Sequence, residues 1–438
     1  MIRPDPDCLP GLRWQSLGSS TLHPEWQRPL RAALAALPAE QRRGLRAYAA
    51  SGDDGAGAGL RPEGDPAQQA ASGGGDLLDL ASNDYLGLSR HPAVRAAAAA
   101  ELERSGLGAG ASRLVSGTRP VHTALERELA AWLGRERVLL FPSGFQANLA
   151  AVIALADRHT LVLADRLIHA SLLTGVRASG ARLQRFAHND LADLERQLQA
   201  AQQKAPQRRL LVLSESLFSM EGTSPEVPAL AALCARHGAA LLLDEAHALG
   251  VLGRGGRGLG HGEASIALIS GTFGKAFGSG GAFLAGDALV GDWLLQSSGP
   301  FRYTTALAPP LAAGALAALQ LLQEAEAAGA HPGAALQVRA GRWRDRLETA
   351  GWPRPPGSGP VLALQVGDDG RSLALQQRLE QAGLLVVAIR PPTVPEGTAR
   401  LRLVLRHDLP TGSLERLLEA LGSPAALAPT TLPLITPT

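Results

Sequence analysis

The chain of 438 residues predicts an α/β protein, with a large domain built on a mainly parallel sheet and a smaller α+β domain after it. Between residues 76 and 325, short continuous apolar runs alternate with helical patterns, as in parallel sheets that helices cover on both faces. After residue 325 helices and strands follow in mixed order. Residues 51–75 are rich in Gly, Ala, Asp and Pro, which is typical of a linker. The predicted units are an N-terminal arm and flexible linker at 1–75, a large domain at 76–325, a small domain at 326–423 and a disordered tail at 424–438.

The apolar runs predict each element of these domains in chain order. Strands of the large domain are expected at Arg137–Phe141, Thr160–Ala164, Arg182–Phe186, Leu210–Ser214, Ala239–Asp244, Ser265–Ser270 and Gly280–Ala285. Helices are expected between them at Phe145–Ala156, His169–Ala178, Leu191–Ala201 and Val227–Arg236. The small domain is expected to contain strands at Val361–Val366, Leu384–Ala388 and Ala399–Leu405 and helices at Leu373–Ala382 and Leu414–Leu421.

Composition excludes several classes of partner. The formal net charge is +2 and the basic residues are scattered, so we expect no nucleic acid as partner. The chain begins without the apolar core of a signal peptide, and its longest Ala/Leu-rich stretch carries prolines and runs into glutamates, so we expect no membrane partner. Two cysteines, Cys8 and Cys234, make no disulfide framework. We therefore expect a cytoplasmic protein.

One lysine stands out for its surroundings. Only Lys204 and Lys275 occur among 42 basic residues, and a lysine, unlike an arginine, can lose its proton and form a Schiff base. Lys275 lies in a glycine-rich turn that follows a predicted strand, and Asp244 and His247 end an earlier apolar strand. In open α/β sheets ligands bind beyond the carboxyl ends of the strands. This set is what a pyridoxal phosphate (PLP) site requires, although the lysine by itself would also fit an ordinary turn.

Two further features fit the same ligand less specifically. Ser143 and Gly144 follow a strand and begin a helix, which is a favourable arrangement for a phosphate and also that of any capped helix. His169 follows the next strand and could stack on a flat ring, or be structural.

Three other motif matches are not supported by the sequence around them. The run Gly253–Gly258 fits G-x-G-x-x-G, but no amphipathic helix follows it, and the turn at Lys275 is too short for a P-loop. Cys234, which with three histidines could be called a zinc set, lies on a predicted helix beside a buried strand. We therefore expect no metal site.

Several motifs in order resemble the α-oxoamine synthases, which are PLP-dependent transferases of the aspartate-aminotransferase fold (fold type I). The resemblance covers about residues 80–421. The motifs are Ala-Ser-Asn-Asp-Tyr-Leu-Gly-Leu (81–88), Gly-Ala-Gly-Ala-Ser-Arg (108–113), Ser-Gly-Phe-Gln-Ala-Asn (143–148), Asp-Arg-Leu-Ile-His-Ala-Ser (165–171), Phe-Ser-Met-Glu-Gly (218–222), Asp-Glu-Ala-His (244–247) and Thr-Phe-Gly-Lys (272–275). The resemblance implies that PLP is the cofactor.

The resemblance also implies roles at matching positions. Lys275 would form the Schiff base, Asp244 would pair with the pyridine nitrogen and His247 with the ring hydroxyl. His169 would stack on the ring, and these four are the expected catalytic residues. Ser219 would lie near the ring substituents. The phosphate would be held by Ser143, Gly144, Phe145 and Thr272.

For the substrates, the resemblance implies a second set of positions. Arg402 with Asn83 would bind the carboxylate of an amino acid, with Arg390 as the competing candidate. Thr393 would face the acyl chain, and Arg46 would meet an acyl-CoA.

Two stretches, 185–190 and 388–403, are most similar to the family member that condenses L-alanine with a pimeloyl thioester. The resemblance implies this reaction, with release of carbon dioxide and thiol. The alternatives are a sister reaction that joins glycine to acetyl-CoA, and a binding protein of the same fold without turnover. It further implies a homodimer in which Thr305 reaches the phosphate site of the partner.

Overall fold

The computed structural model of the protein describes residues 22–38, 44–51, 57–63 and 75–424. The strands of this part are Ala47–Ala50 (β1), Gly59–Glu63 (β2), Leu77–Asp79 (β3), Arg137–Phe141 (β4), Thr160–Asp165 (β5), Arg182–Phe186 (β6), Arg209–Glu215 (β7), Ala240–Asp244 (β8), Ile266–Thr272 (β9), Ala282–Gly286 (β10), Val361–Gly367 (β11), Leu384–Leu385 (β12), Val387–Ile389 (β13) and Ala399–Val404 (β14). The helices are Pro24–Ala36 (α1), Pro92–Ser105 (α2), Pro120–Leu133 (α3), Gly144–Leu155 (α4), Ala170–Ser179 (α5), Leu191–Lys204 (α6), Val227–Arg236 (α7), Ala288–Ser297 (α8), Gly299–Arg302 (α9), Pro309–Ala327 (α10), Pro332–Thr349 (α11), Asp369–Gln381 (α12) and Ser413–Leu421 (α13).

A seven-stranded sheet forms the centre of the large domain. Its strand order is β4-β10-β9-β8-β7-β5-β6. Strands β6, β5, β7, β8 and β9 pair in parallel, and β10 runs antiparallel to both β9 and β4. The prediction of a mainly parallel sheet is confirmed, and each of its predicted strands lies within two residues of an observed one.

Apolar side chains cover both faces of the sheet. Successive side chains of a strand point to opposite sides, so each strand contributes to both faces. Leu161 and Leu163 of β5 belong to one apolar cluster, whereas Val162 and Ala164 belong to the other. This is the reason why the strands are continuously apolar in the sequence.

Two smaller sheets flank the large one. Strands β11, β14 and β13 form an antiparallel sheet of the small domain. Strand β12 pairs instead with β3, in a four-stranded sheet whose order is β1-β2-β3-β12. The single strand predicted at Leu384–Ala388 is therefore wrong, because the chain leaves one sheet and joins another at Val386.

The linker predicted at 51–75 is wrong for its middle part. Residues 59–63 form β2, which pairs antiparallel with both β1 and β3. Gly and Pro within this short strand hid the element, because both residue types are depleted in strands and typical of loops. The rest of the linker at 52–56 and 64–74, the N-terminal arm before residue 22 and the tail from residue 425 lie outside the described residues.

No helix in the described ranges combines the length and the apolar character needed to cross a membrane.

Candidate active site

The carboxyl ends of the parallel strands meet at one edge of the large sheet, and a cavity of about 210 Å³ lies there. It is lined by Gly144, Phe145, Asn148, His169, Glu215, Asp244, Ala246, His247, Ser270, Gly271, Thr272 and Lys275. The structure thus brings together seven of the ten residues predicted for the cofactor, from four separate segments of the chain. Ser143 adjoins the cavity at the start of α4, whereas Ser219 and Thr305 do not line it.

Lys275 lies in a tight turn after β9. Its carbonyl accepts a hydrogen bond from the Gly278 amide (2.9 Å), and the buried rings of Phe273 and Phe277 flank it. Burial lowers the pKa of Lys275 to about 8, against the opposing charges of Asp244 and Glu215. A lysine with this pKa is partly neutral near pH 7, which is the form that attacks a carbonyl.

Asp244, the last residue of β8, is held by two donors. The Asn148 side-chain Nδ2 donates to Asp244 Oδ2 (2.7 Å), and the Ala246 amide donates to Oδ1 (2.9 Å). Asn148 is fixed in turn, since its Oδ1 accepts from Ser270 Oγ (2.6 Å) and its Nδ2 also reaches Ser171 Oγ (3.0 Å). The carboxylate therefore has a fixed orientation at the cavity wall.

The same hydrogen-bond network reaches His169, which caps α5. His169 Nδ1 lies 2.7 Å from Ser171 Oγ and accepts from the Ser171 amide (3.3 Å). Because Nδ1 is an acceptor, the ring proton of neutral His169 is on Nε2. Burial lowers the pKa of His169, which keeps the ring neutral near pH 7.

Glu215 ends β7 directly beside Asp244 in the sheet. It accepts a hydrogen bond from the His169 amide at 2.6 Å. Burial, and then the charge of Asp244, raise the pKa of Glu215 well above its usual value. Glu215 therefore favours its protonated form.

His247 is paired with a buried tyrosine. Tyr85 Oη lies 2.6 Å from His247 Nδ1 and 3.4 Å from Asn83 Oδ1, to which it can donate. Tyr85 thus links His247 to the residue that Arg402 binds. Burial and the charges of Lys275 and Arg402 hold the pKa of His247 well below its usual value. His247 is therefore neutral near pH 7.

A cradle for an anion lies at the start of α4. Ser143 caps the helix by accepting from the Gln146 amide (3.3 Å), and the first amides of a helix have no intrahelical acceptor. A methyl group built on Gly144 would lie 3.8 Å from Thr272 Cβ and Oγ1, an ordinary van der Waals contact. The start of the helix and Thr272 are thus separated by open space. Phe145 is half-exposed beside it.

Arg402 belongs to the small domain but is buried near this edge. Its Nη2 donates to Asn83 Oδ1 (2.8 Å) and its Nε donates to the Ser219 carbonyl (2.6 Å). Burial lowers its pKa from the usual value, and the side chain is only 6% exposed. Arg402 and Asn83, which were predicted to act together, are therefore in contact, and Ser219, predicted for the cofactor, contacts Arg402 through its carbonyl.

Four other predicted residues lie apart from the cavity lining. Arg46 forms a bidentate ion pair with Glu380 of α12 (2.7 and 3.0 Å). Arg390 and Thr393 lie in the turn after β13, where the Arg390 carbonyl accepts from the Thr393 amide (3.0 Å). Thr305 is exposed and forms an isolated bridge with Ser112.

Sequence reasoning missed four members of the site. Asn148 and Tyr85 stood within quoted motifs without a role, and Glu215 and Ser270 lie in strands β7 and β9. The rule that ligands lie beyond strand ends applied to Glu215 as much as to Asp244, and would have found it. Tyr85 and Asn148 carried no such signal, because only their distant partners make them part of the site.

A mainly parallel seven-stranded sheet with one reversed strand, presenting a half-buried lysine and a buried aspartate at its carboxyl edge, defines the class of fold type I PLP-dependent enzymes. The sequence model of the family "Aminotransferase class I and II" matches residues 75–421, and the chain belongs to this family.

Named relatives narrow the comparison. A protein of Chromohalobacter salexigens called 8-amino-7-oxononanoate synthase is 46% identical over 350 residues, which are 79% of this chain and 89% of that protein. The structure is similar to Sphingomonas wittichii serine palmitoyltransferase (TM-score 0.80, 28% identity, 90% of this chain and 95% of that one). It is also similar to Francisella tularensis 8-amino-7-oxononanoate synthase (TM-score 0.66, 27% identity, 79% and 96%). A serine palmitoyltransferase solved with PLP aligns at TM-score 0.78, with 25% identity over 91% of this chain and 95% of that one.

Proposed function

We propose that this protein condenses L-alanine with a pimeloyl thioester, the acyl group being carried by CoA or a carrier protein, to give 8-amino-7-oxononanoate in biotin biosynthesis. A bond forms between the alanine Cα and the acyl carbon, the carbon–sulfur bond breaks to release thiol, and the alanine carboxylate leaves as carbon dioxide. The observation that carries this choice is the likeness of four fifths of the chain to relatives named for this product. The glycine and acetyl-CoA alternative is not favoured by those names.

The residues present fit PLP as the cofactor. The cavity offers a buried lysine amine, a carboxylate with two fixed donors, and an anion cradle between α4 and Thr272. Lys275 would hold the aldehyde carbon as a Schiff base, and Ser143, Gly144, Phe145 and Thr272 would hold the phosphate. When bound, PLP accepts the electron pair left at the substrate Cα as a bond to it breaks.

Lys275 and Asp244 carry the proton chemistry. The Lys275 amine, with a pKa of about 8, takes the proton from alanine Cα and later returns one. Asp244, oriented by Asn148, keeps a proton on the pyridine nitrogen. That proton makes the ring a better acceptor of electrons.

Both histidines are neutral and can donate one ring proton. For His169 the donor is Nε2–H, because its Nδ1 already accepts from the Ser171 amide. We assign His247 to the ring hydroxyl and His169 to stacking on the ring. Either donor would polarise the thioester carbonyl as negative charge develops on its oxygen.

Arg402 and Asn83 orient the amino acid. A guanidinium can bind a carboxylate at two points, which would set the Cα–H bond perpendicular to the cofactor ring. Arg402 lies with Asn83 and the Ser219 carbonyl, so its side chain is already fixed. Ser219 would lie near the ring substituents.

The acyl substrate would meet residues outside the cavity lining. We assign Thr393 to the acyl chain, and Arg46, or Arg390 in its place, to a charged group of the thioester. Arg46 would have to share or leave its ion pair with Glu380.

We also expect the protein to be located in the cytoplasm.

A homodimer would complete the phosphate site. Thr305 is exposed, Tyr303 beside it is 80% exposed, and the apolar Leu114 and Val115 of the glycine-rich segment are also exposed. Apolar side chains grouped in this way are typical of an interface. The dimer predicts that two inactive variants, Lys275→Ala and Thr305→Asp, regain activity when refolded together, because the mixed dimer has one intact site. Mixed dimers seen by native mass measurement without activity would contradict it.

The decisive experiment for the reaction is a panel of amino acids against acyl-CoA and acyl-carrier thioesters, scored by thiol release and product mass. We expect the highest kcat/KM for L-alanine with a pimeloyl thioester. A preference for glycine with acetyl-CoA would replace the proposal by the sister reaction. If the PLP-loaded protein turned over none of the substrate pairs, the alternative of a binding protein would replace the proposal.

A further inference from the structure

A second buried charge cluster lies outside the cavity, at the end of β14. The guanidinium of Arg406, which is 4% exposed, contacts three carboxylates. Nη1 is 3.1 Å from Asp79 Oδ2, Nη2 is 3.4 Å from Asp84 Oδ2, and Nε and Nη2 form a fork on Asp408 (2.9 and 2.7 Å). Ser82 Oγ accepts from Nη1 as well (3.1 Å).

The cluster has one cation and three acids in a buried place. Burial would by itself lower the pKa of Arg406, but Asp408, Asp84 and Asp79 raise it above its usual value. Burial raises the pKa of Asp84. Removing the guanidinium would leave buried carboxylates without a counter-charge, which is costly, so its presence fixes their positions.

Asp79 transmits this constraint to the turn that carries Asn83. Asp79 Oδ1 accepts from the amides of Ala81 (3.0 Å) and Ser82 (2.9 Å), and Oδ2 accepts from Ser82 Oγ (2.5 Å). The turn that leads to Asn83 is thus held by the same carboxylate that Arg406 binds.

The backbone joins the two segments at both sides of that turn. The Val404 amide donates to the Leu80 carbonyl (2.8 Å), and the His407 amide donates to the Tyr85 carbonyl (2.7 Å). Between these two bonds the Arg406 cluster contacts the turn through Ser82 and Asp84, and Ser89 Oγ also donates to Asp84 (2.6 Å). Strand β14 carries Arg402, so the cluster sets the distance between Asn83 and Arg402.

We propose that Arg406 is a positioning residue for the amino-acid substrate, acting through Asp79 on Asn83 and hence on Arg402. This rests on the proposed function in one respect, namely that Arg402 binds the substrate carboxylate. The position of Arg406 predicts an effect on amino-acid binding and little effect on the acyl thioester. A displacement of about 1 Å in such a clamp costs up to about 10²-fold.

The test compares Arg406→Met and Arg406→Lys with a matched control, Arg339→Met. Arg339 Nη1 donates to the carbonyls of Arg406 and His407 (2.7 and 2.9 Å), so it holds the same loop to α11 without touching the turn at 81–84. Alanine is titrated into PLP-loaded protein by calorimetry, and KM is measured for alanine and for pimeloyl-CoA separately. Asp408→Asn is made in case Arg406→Met does not fold.

We expect the alanine dissociation constant and KM to rise about ten- to hundredfold in the Arg406 variants, with pimeloyl-CoA KM within about twofold. Arg339→Met should leave the alanine constant within about twofold. Equal rises in both kinds of variant would reduce Arg406 to a structural role, and unchanged alanine affinity in folded Arg406→Lys, or in Asp408→Asn, would overturn the proposal. If the wild type prefers another amino acid, the proposed reaction fails while the same titration with that amino acid still decides the role of Arg406.

Discussion

At the scale of single residues, the site works by burial. Lys275, Glu215, His169 and His247 each have a pKa moved toward the neutral form, and desolvation is the largest cause for all four. Asp244 is held in one orientation, because Asn148 and a backbone amide donate to it. A neutral amine is the form of Lys275 that can accept a proton from an amino acid.

Lys275→Ala should lose turnover by at least about 10²–10⁴-fold, because both the base and the Schiff-base amine are removed. It should also lose the absorbance of the Schiff base that Lys275 would form with PLP. Lys275→Arg should be equally inactive, since a guanidinium neither condenses with an aldehyde nor accepts a proton. Full activity in either variant would contradict the PLP assignment.

The lowered pKa of Lys275 gives a pH dependence with a defined sign. Below about pH 8 the amine is mostly protonated, and above it mostly neutral. The rate at which apo-protein takes up PLP should therefore rise from pH 7 to pH 9 and then level off. Stopped-flow absorbance measures this, with Lys275→Ala as the blank. A rate that keeps rising toward pH 10.5 would show that burial does not shift this amine.

Asp244→Asn should still bind PLP but slow the exchange of the alanine Cα proton by about 10²–10³-fold, because a neutral amide cannot keep the pyridine nitrogen protonated. Deuterium exchange at alanine Cα, followed by NMR, measures it. Exchange at the wild-type rate would mean that Asp244 has another role.

At the scale of elements, register decides which side chains meet. The pairing of β8 with β9 shifts by one residue between Leu241 and Leu242, so that Ser270 lies opposite Asp244. Ser270 can then donate to Asn148, which in turn donates to Asp244. Such a bulge leaves no trace in the apolar pattern of either strand.

The turn after β9 also depends on one glycine. Gly278 has φ +61°, and a methyl group there would lie 2.1 Å from the Ser89 amide nitrogen. Gly278→Ala should therefore cost more than the backbone strain of about 1–3 kcal/mol that Gly180→Ala imposes, since Gly180 has φ +70° with open space around it. Urea unfolding compares the two variants, and equal losses would show that the turn simply moves aside.

At the scale of the whole molecule, the site joins both domains. The bond between Arg402 and Asn83 links residues 319 positions apart, and that between Arg402 and Ser219 links residues 183 apart. The affinity for the amino acid should therefore depend on how the two domains pack against each other.

Arg402→Ala should weaken alanine binding far more than acyl-thioester binding, because Arg402 is fixed beside Asn83 while Arg390 lies in the turn after β13. Loss of a bidentate ion pair should raise the dissociation constant of alanine about 10-fold or more. Arg390→Ala serves as the matched arginine control. Titrating alanine into each PLP-loaded variant decides between them, and a large loss for Arg390→Ala with none for Arg402→Ala would reverse the assignment.

The sequence by itself determined the fold class, the strands of the large sheet and most of the cavity lining. Apolar runs and turns are local patterns, and polar residues at the ends of parallel strands meet at one edge whatever the details of packing. Only the tertiary structure decided that Asn83 meets Arg402, that Tyr85 contacts His247 and that Arg406 binds Asp79. These contacts join segments far apart in the chain, where one residue of register or one ångström of packing changes the partner.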